Sequence, residues 1–396
     1  MATKTGLQVL TDSFATLTDP RVARTRWHNL VDIVTIAVCG AICECNSWED
    51  LPRYGRAKRD WFDRFLELPN GIPSADTFAR VFQRLKPDEF LRCLSSVVAV
   101  LRRDEEQEVV AIDGQTLRGS GDSRAGRHPL HLVRAWAATN RLVLGQQACA
   151  EKSNEITAIP QLLKLIDIEG AIVTIDAMGC QTDIADAIVE RGADYVLAVK
   201  DNQPKLHTEI RETFERAMAQ ATSGQLPAFL EHVERQQKRG RDEERHYYML
   251  PRPKGSSTFG RWRAAKTIGM VIRRRTIRGC ETTEVHYYLS SLPPGVKRFA
   301  RAARGHWGIE NRLHWSLDVV FAQDASRIRK DASPEIASML RQLALMILQQ
   351  DTRLSGSLRC KRKQAGWNND HMTTSNRSSL KSLPNKMRRP WGCRGI

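Results

Sequence analysis

The feature that most constrains this chain is a change of residue pattern between residues 108 and 200. Short β-branched and apolar runs alternate there with helical segments, the first of which carries Pro160 in its first turn. We predict five strands, over residues 109–113, 131–137, 141–150, 171–176 and 194–200. Helices are predicted before residue 166 and over residues 182–192, which gives the order β-β-β-α-β-α-β.

Three antiparallel strands followed by strands that return through helices predict a mixed sheet, because parallel neighbours need a crossover connection. This order is the topology of the ribonuclease H-like fold. We therefore predict an α/β chain with an RNase H-like core, a mixed five-stranded sheet with flanking helices. In that sheet the first and fourth strands are neighbours.

The rest of the chain divides by pattern and composition. We predict an all-helical N-terminal domain that binds DNA, over residues 1–100, and a core in two pieces, over residues 105–228 and 292–350. A β-rich insertion is predicted over residues 229–291, and a basic, poorly ordered tail over residues 351–396. In the N-terminal domain, Ser74 is predicted to cap a short helix that carries Arg80 and Arg84. A helix, a turn and a basic second helix are typical of DNA-binding modules.

Charge indicates the class of partner. The chain has 61 Lys and Arg against 45 Asp and Glu, a formal net charge of +16, which favours nucleic acid over a surface kept basic only for solubility. Nine cysteines without a paired framework fit a reducing compartment. Cys39 and Cys43 are spaced for a small-residue helix core rather than a metal site. We find no apolar run of transmembrane length, and expect a cytoplasmic, nucleoid-associated protein without membrane contact.

Two acidic residues follow apolar strands. Asp113 is predicted to end the first strand, before Gly114, and Asp176 to end the fourth, before Ala177. Because these strands are predicted neighbours, both carboxylates should face one point, where they could hold Mg²⁺. The alternative is that each aspartate only caps the turn after it.

A third acid is expected on a helix packed against the sheet. Residues 303–321 place polar side chains at helical spacing on one stripe, namely Trp307, Glu310, Asn311, His314 and Asp318. We predict Glu310 as the metal ligand, with Asp318 as its rival, because a buried carboxylate needs a partner. His314 either orients a ligand or is structural.

Further DNA contacts are predicted near the strand ends. Lys200 follows the fifth strand and is placed near substrate phosphate, and Asn202 either contacts DNA or caps the next helix. Arg118 and Ser120 belong to a glycine-rich basic loop after the first acid, which suits a DNA backbone.

The longer motifs resemble the H-repeat-associated family of bacterial DDE insertion-sequence transposases. They read AIDGQTLRGS, EKSNEITAIPQLL, IVTIDAMGCQTDIADAIVERGADYVLAVKDNQ and RGHWGIENRLHWSLDVVFAQDASRIRK. The N-terminal region is also similar, and the resemblance covers about residues 10–365. It implies an RNase H-like core with Asp113, Asp176 and Glu310 as the metal triad.

The resemblance further implies two Mg²⁺ ions, for which Mn²⁺ can substitute, with terminal inverted repeats and target DNA as double-stranded substrates. Three positions depart from the pattern of many related transposases: His306 stands for an arginine, Ala303 for a tyrosine and Leu317 for a lysine. A hairpin route of excision is therefore not implied, although Trp307 matches the aromatic residue before the glutamate.

From the sequence we predict a transposase that cleaves the ends of its element and joins each 3′-OH to target DNA. Because two ends must meet in one complex, a homodimer is expected. Two alternatives stay open: a metal-dependent nuclease without strand transfer, and a non-enzymatic DNA-binding derivative of a transposase.

Overall fold

The computed structural model describes residues 6–149, 155–223, 229–238 and 240–369. Its α-helices are α1 Gly6–Phe14, α2 Leu30–Ile42, α3 Asp50–Ala57, α4 Arg59–Phe62, α5 Ala75–Arg84, α6 Pro87–Leu101, α7 Glu155–Leu165, α8 Thr182–Glu190, α9 Pro204–Thr222, α10 Ser257–Gly260, α11 Val296–Gly308, α12 Trp315–Val319, α13 Ser333–Gln350 and α14 Leu358–Trp367. Within this part of the chain, we find no helix with both the length and the apolar character needed to cross a membrane.

The strands are β1 Val109–Leu117, β2 Leu130–Ala137, β3 Leu142–Ala148, β4 Ile172–Ile175, β5 Asp194–Val199, β6 Leu230–Lys238, β7 Arg241–Pro251, β8 Thr267–Ile277 and β9 Cys280–Ser290. They form one sheet in the order β3-β2-β1-β4-β5-β9-β8-β7-β6. The β1–β4 and β4–β5 pairs are parallel, and the other pairs are antiparallel. The chain is thus a mixed α/β protein with a large mixed sheet.

The chain separates into two compact units, residues 1–102 with 330–396 and residues 103–329. In the first unit α2 is the central helix, buried along nearly its whole length, and it packs against α1, α3, α13 and α14. Cys39 lies in this apolar core as predicted. Ser74 caps α5 by accepting a hydrogen bond from the Thr77 N–H at 3.2 Å, which confirms the predicted start of that helix.

Two predicted boundaries differ from the structure. Helix α13 belongs to the helical unit, where it packs on α2, α5 and α6, and not to the unit with the sheet. The segment predicted to be a poorly ordered tail contains α14, whose buried Arg362 donates to the Ala41 carbonyl at 2.9 Å. Residues 370–396 of that tail lie outside the described residues. An apolar or basic helix pattern does not specify its packing partner, which explains both differences.

The second unit is built on the sheet. The five predicted core strands are consecutive neighbours, β3-β2-β1-β4-β5, as predicted. Residues 229–291, the predicted β-rich insertion, supply β6–β9; because β9 pairs with β5, these strands continue the same sheet. Helix α11 packs on β1, β4 and β7. Its Phe299 also lies so close to Gly269 of β8 that a side chain at Gly269 would overlap the Phe299 ring. This packing fixes the helical segment that follows α11 over the middle of the sheet.

Candidate active site

The two strand aspartates are brought together by the parallel β1–β4 pair. The last paired residues of this ladder are Ile112 and Ile175, and Asp113 and Asp176 come directly after them. Asp176 directly follows β4, within one residue of the predicted strand end, and its Oδ1 accepts a 3.3 Å hydrogen bond from the Gly179 N–H. Asp113 does not end its strand, because β1 continues to Leu117 through pairing with β2.

Burial and the charges of neighbouring carboxylates act together on Asp113. Burial, followed by the charges of Glu155 and Asp176 and finally Glu310, raises the pKa of Asp113 to about 7. Burial also raises the pKa of Asp176, where the Gly179 N–H opposes the shift and Glu155 adds to it. Like charges held together at low solvent exposure disfavour the ionised forms. Asp113 is therefore the carboxylate whose ionisation most needs a nearby cation.

Glu310 lies in a π-helical segment, Ile309–His314, between α11 and α12. Single π-helical turns inside α-helices occur frequently at functional sites. The residues predicted to lie on one stripe differ in exposure. Trp307, Glu310 and Asn311 are exposed, whereas His314 is buried against the sheet. The five residues therefore do not share one face of a regular helix.

His314 is the residue of this segment that approaches Asp113, with Nδ1 3.6 Å from Asp113 Oδ2. Burial, reinforced by the nearby Arg134 and His306, lowers the pKa of His314 to about 3. The ring is thus neutral at pH 7, and its contact with Asp113 is not an ion pair. His314 therefore brings no positive charge next to Asp113, and its Nε2 is buried without a hydrogen-bond partner.

Asp318, the rival of Glu310, lies in a buried polar network. Its Oδ2 accepts a 2.7 Å hydrogen bond from Gln115 Nε2, and Gln115 Oε1 in turn accepts from the guanidinium of Arg134. Arg134 is completely buried on β2, in register with Asp113 on β1. Asp318 is therefore engaged in linking its helix to the sheet, which favours Glu310 as the carboxylate open to a ligand.

The residues after β5 hold the Asp176 loop. Asn202 Nδ2 donates to the Ala177 carbonyl, and Gln203 Nε2 donates to the Cys180 carbonyl at 2.9 Å. Asn202 does not cap α9, because the N-cap position is Gln203 and no side chain caps that helix; its predicted contact with DNA stays a prediction. Lys200 is exposed, as its predicted role requires. Burial raises the pKa of Asp176, and the positive charge of Lys200 opposes part of that rise.

The loop after β1 is held by hydrogen bonds to residues 324–329. Asp324 accepts from the backbone N–H of Arg118 at 2.8 Å and from that of Gly119 at 2.9 Å. Ser120 is buried and receives the Leu130 N–H, so it is not available to a DNA backbone. The Arg118 side chain is 85% exposed, which leaves it as the DNA-contact candidate of this loop.

Comparison with known proteins identifies this arrangement. A family model described as "Transposase DDE domain" matches residues 104–347, and one described as "DDE_Tnp_1-associated" matches residues 11–98. The chain belongs to the DDE transposase family. It is 35% identical to "H repeat-associated putative transposase YhhI" of Escherichia coli (strain K12) over 352 residues, covering 88% of this chain and 92% of that protein. It is 38% identical over 280 residues to "Uncharacterized protein in dhlA 3'region" of Xanthobacter autotrophicus, covering 70% of this chain and 92% of that protein.

These matches confirm the resemblance to H-repeat-associated transposases. They support a transposase role, and transposases are nucleic-acid-processing enzymes. The family generally uses divalent metal ions. Within residues 6–149, 155–223, 229–238 and 240–369, no three His, Cys, Asp or Glu side chains are gathered closely enough to hold an ion as they stand. The mutual repulsion at Asp113 nevertheless fits a cation, because a divalent ion would offset the charges that raise its pKa.

The three departures from the pattern of related DDE transposases have a physical reason. His306 is packed against β4, with Nδ1 3.2 Å from Thr174 Oγ1, and burial lowers its pKa to about 4. Ala303 and Leu317 are buried among apolar side chains. A charged or phenolic side chain at these positions would point into the protein, so DNA contacts must come from other residues.

The remaining DNA-binding candidates are surface residues. Arg80 and Arg84 lie on the exposed side of α5, opposite Phe78, Val81 and Phe82. Trp307 is 39% exposed, and the Arg273 guanidinium lies 5.3 Å from its ring centroid. Sequence reasoning missed Glu155, His131 and Arg134. A charged residue inside the apolar β2 pattern was the signal for Arg134, because buried charges need partners.

Proposed function

We propose that this DDE transposase uses Asp113, Asp176 and Glu310 to hold two divalent cations, Mg²⁺ or Mn²⁺, in an RNase H-like core. The supporting observation is that Asp113 and Asp176 follow the last residue pair of adjacent parallel strands, while the charge of Glu310 acts on Asp113. When bound, such a pair of ions activates the attacking oxygen and stabilises the leaving oxygen of a phosphodiester.

The protein's own residues would position the DNA and the carboxylates. Asn202 and Gln203 hold the loop after Asp176, and the Gln115–Asp318 hydrogen bond holds the segment after Glu310 on β1. Lys200 and Arg118 are exposed beside these carboxylate strands and would neutralise phosphates. Arg80 and Arg84 would contact DNA from the helical unit.

The proposed reaction is hydrolysis at the terminal inverted repeats followed by attack of each freed 3′-OH on target DNA. Each step is an in-line displacement at phosphorus, so positioning and charge neutralisation supply the catalysis and no covalent intermediate is needed. Because two ends must be cut and joined together, we propose that a homodimer acts on double-stranded DNA in the cytoplasm, at the nucleoid.

The test is cleavage and strand transfer of labelled DNA that carries the ends of the element, with Mg²⁺, with Mn²⁺ and with EDTA. Asp113→Asn and Glu310→Gln should abolish both reactions and retain DNA binding, whereas Glu190→Gln, at the exposed last residue of α8, should behave as the wild type. Nicking without joining would favour the nuclease alternative. Specific binding without metal-dependent cleavage by the wild type would refute the catalytic proposal and favour a DNA-binding derivative.

A further inference from the structure

Glu155, the first residue of α7, lies against the backbone of β1 immediately beside Asp113. Its Oε1 is 2.9 Å from His131 Nε2, and a Cβ added to Gly114 would overlap the Glu155 carboxylate and that same ring nitrogen. The glycine after Asp113 is thus required by this close approach, because any larger residue would displace the carboxylate.

His131 holds Glu155 in a defined orientation. A carboxylate only accepts hydrogen bonds, so Nε2 of His131 is the donor in this contact. The other ring nitrogen, Nδ1, lies 2.8 Å from Thr116 Oγ1, directly across the β1–β2 ladder. Carboxylates and imidazoles fixed in such chains are typical of the surroundings of metal sites.

We infer that Glu155 is a fourth carboxylate of the metal centre, held beside Asp113 by His131, and that it would act with Asp113 as a ligand to a divalent ion. This inference rests on the proposed function. Only 14% of the Glu155 side chain is exposed, and its charge acts on both strand aspartates. Glu310, by contrast, is exposed on the helical side, so Glu155 and Glu310 would complete the coordination from two different elements.

The experiment measures Mn²⁺ binding to the full chain. Calorimetry gives the affinity, and the electron paramagnetic resonance signal of free Mn²⁺ gives an independent value. Glu155→Gln retains an oxygen that can accept from His131, and should weaken Mn²⁺ binding about tenfold or more, by analogy with changes around other metal sites. Glu190→Gln is the matched control, since its carboxylate is 63% exposed and pairs with Arg263, and it should bind Mn²⁺ as the wild type does.

Two further variants separate ligation from folding. Gly114→Ala displaces the carboxylate without removing its charge and should also weaken Mn²⁺ binding, as should His131→Gln to a smaller extent. Circular dichroism and thermal melting in EDTA report whether each variant folds. A purely structural Glu155 would lower the melting temperature in EDTA and leave Mn²⁺ affinity unchanged, which would overturn the inference.

The controls also distinguish this inference from the proposed function. If Asp113→Asn loses Mn²⁺ binding and Glu155→Gln and Gly114→Ala do not, Glu155 is not a ligand and the proposed triad stands. If the wild type binds no Mn²⁺, or Asp113→Asn has no effect on binding, the proposed function and the inference both fail.

Discussion

Replacing Asp113 by asparagine should stabilise the metal-free sheet unit, although it destroys the proposed active site. Burial and the neighbouring carboxylates raise the pKa of Asp113 from 3.8 to about 7. At roughly 1.4 kcal/mol per pH unit, keeping Asp113 ionised in the folded protein costs up to about 4 kcal/mol. Asparagine has no such cost, and we expect a gain of about 2–4 kcal/mol in the free energy of unfolding.

The sign of the pH dependence follows from the raised pKa. Below pH 3.8 Asp113 is protonated in both the folded and unfolded states, so its ionisation contributes no difference between wild type and variant. As the pH rises from 3.8 to about 7, the unfolded chain releases this proton first and the wild type loses stability relative to the variant. Above pH 7 the advantage of Asp113→Asn is complete.

Urea unfolding in EDTA at pH 5 and pH 8 measures this effect, with Glu190→Gln as a control that should show no pH-dependent gain. The advantage of Asp113→Asn should be larger at pH 8, and adding Mn²⁺ should reduce it by stabilising the wild type alone. A variant less stable than the wild type at pH 8, or an advantage equal at both pH values, would refute the electrostatic account of this cluster.

Three further predictions concern neighbouring residues. Glu310→Gln should lose DNA cleavage, whereas Asp318→Asn should keep most of it, because the remaining side-chain oxygen at position 318 can still accept a hydrogen bond from Gln115. Equal losses for the two variants in the cleavage assay would contradict the choice of Glu310. Asn202→Ala should weaken Mn²⁺ binding several-fold, since one hydrogen bond contributes about 1 kcal/mol, and should leave the DNA dissociation constant unchanged. Weaker DNA binding with unchanged Mn²⁺ binding would instead indicate a DNA contact. Arg118→Ala should reduce the slope of log affinity against log salt by about 1, measured by fluorescence anisotropy, because one phosphate contact is lost.

The sequence predicted the parts of this fold that depend on local pattern. Alternating and β-branched runs indicated the five core strands, and the order of strands and helices made β1 and β4 neighbours, which brought Asp113 and Asp176 together. The pairing of β9 with β5 was not predictable, because a strand pattern does not specify a distant partner. The same reason explains why α13, an apolar helix, was assigned to the wrong unit.

The candidate site shows the same division between local and long-range information. Asp113 and Asp176 were predicted because each follows an apolar strand, and Glu310 was predicted because a polar residue interrupts an apolar helix; these assignments stay predictions. Glu155 comes from a segment 42 positions after Asp113, and only the folded structure shows that Gly114 accommodates it. The capping alternative for Asn202 was wrong, because a polar residue before Pro204 has the pattern of a helix cap whether or not its side chain turns to another loop.

The distribution of charge bears on the proposed binding of a divalent ion by these carboxylates. Arg134 is the buried cation opposite Asp113. It donates a hydrogen bond to Gln115, which in turn donates to Asp318, and burial lowers the pKa of Arg134 to about 10. His314, the residue in contact with Asp113, is neutral, and Lys200 acts on Asp176 from an exposed position. Without a metal, protonation relieves part of the repulsion at Asp113, whose pKa is about 7. Under the proposed function, a dication bound near Asp113 would replace that proton and gain the attraction of several carboxylates at once.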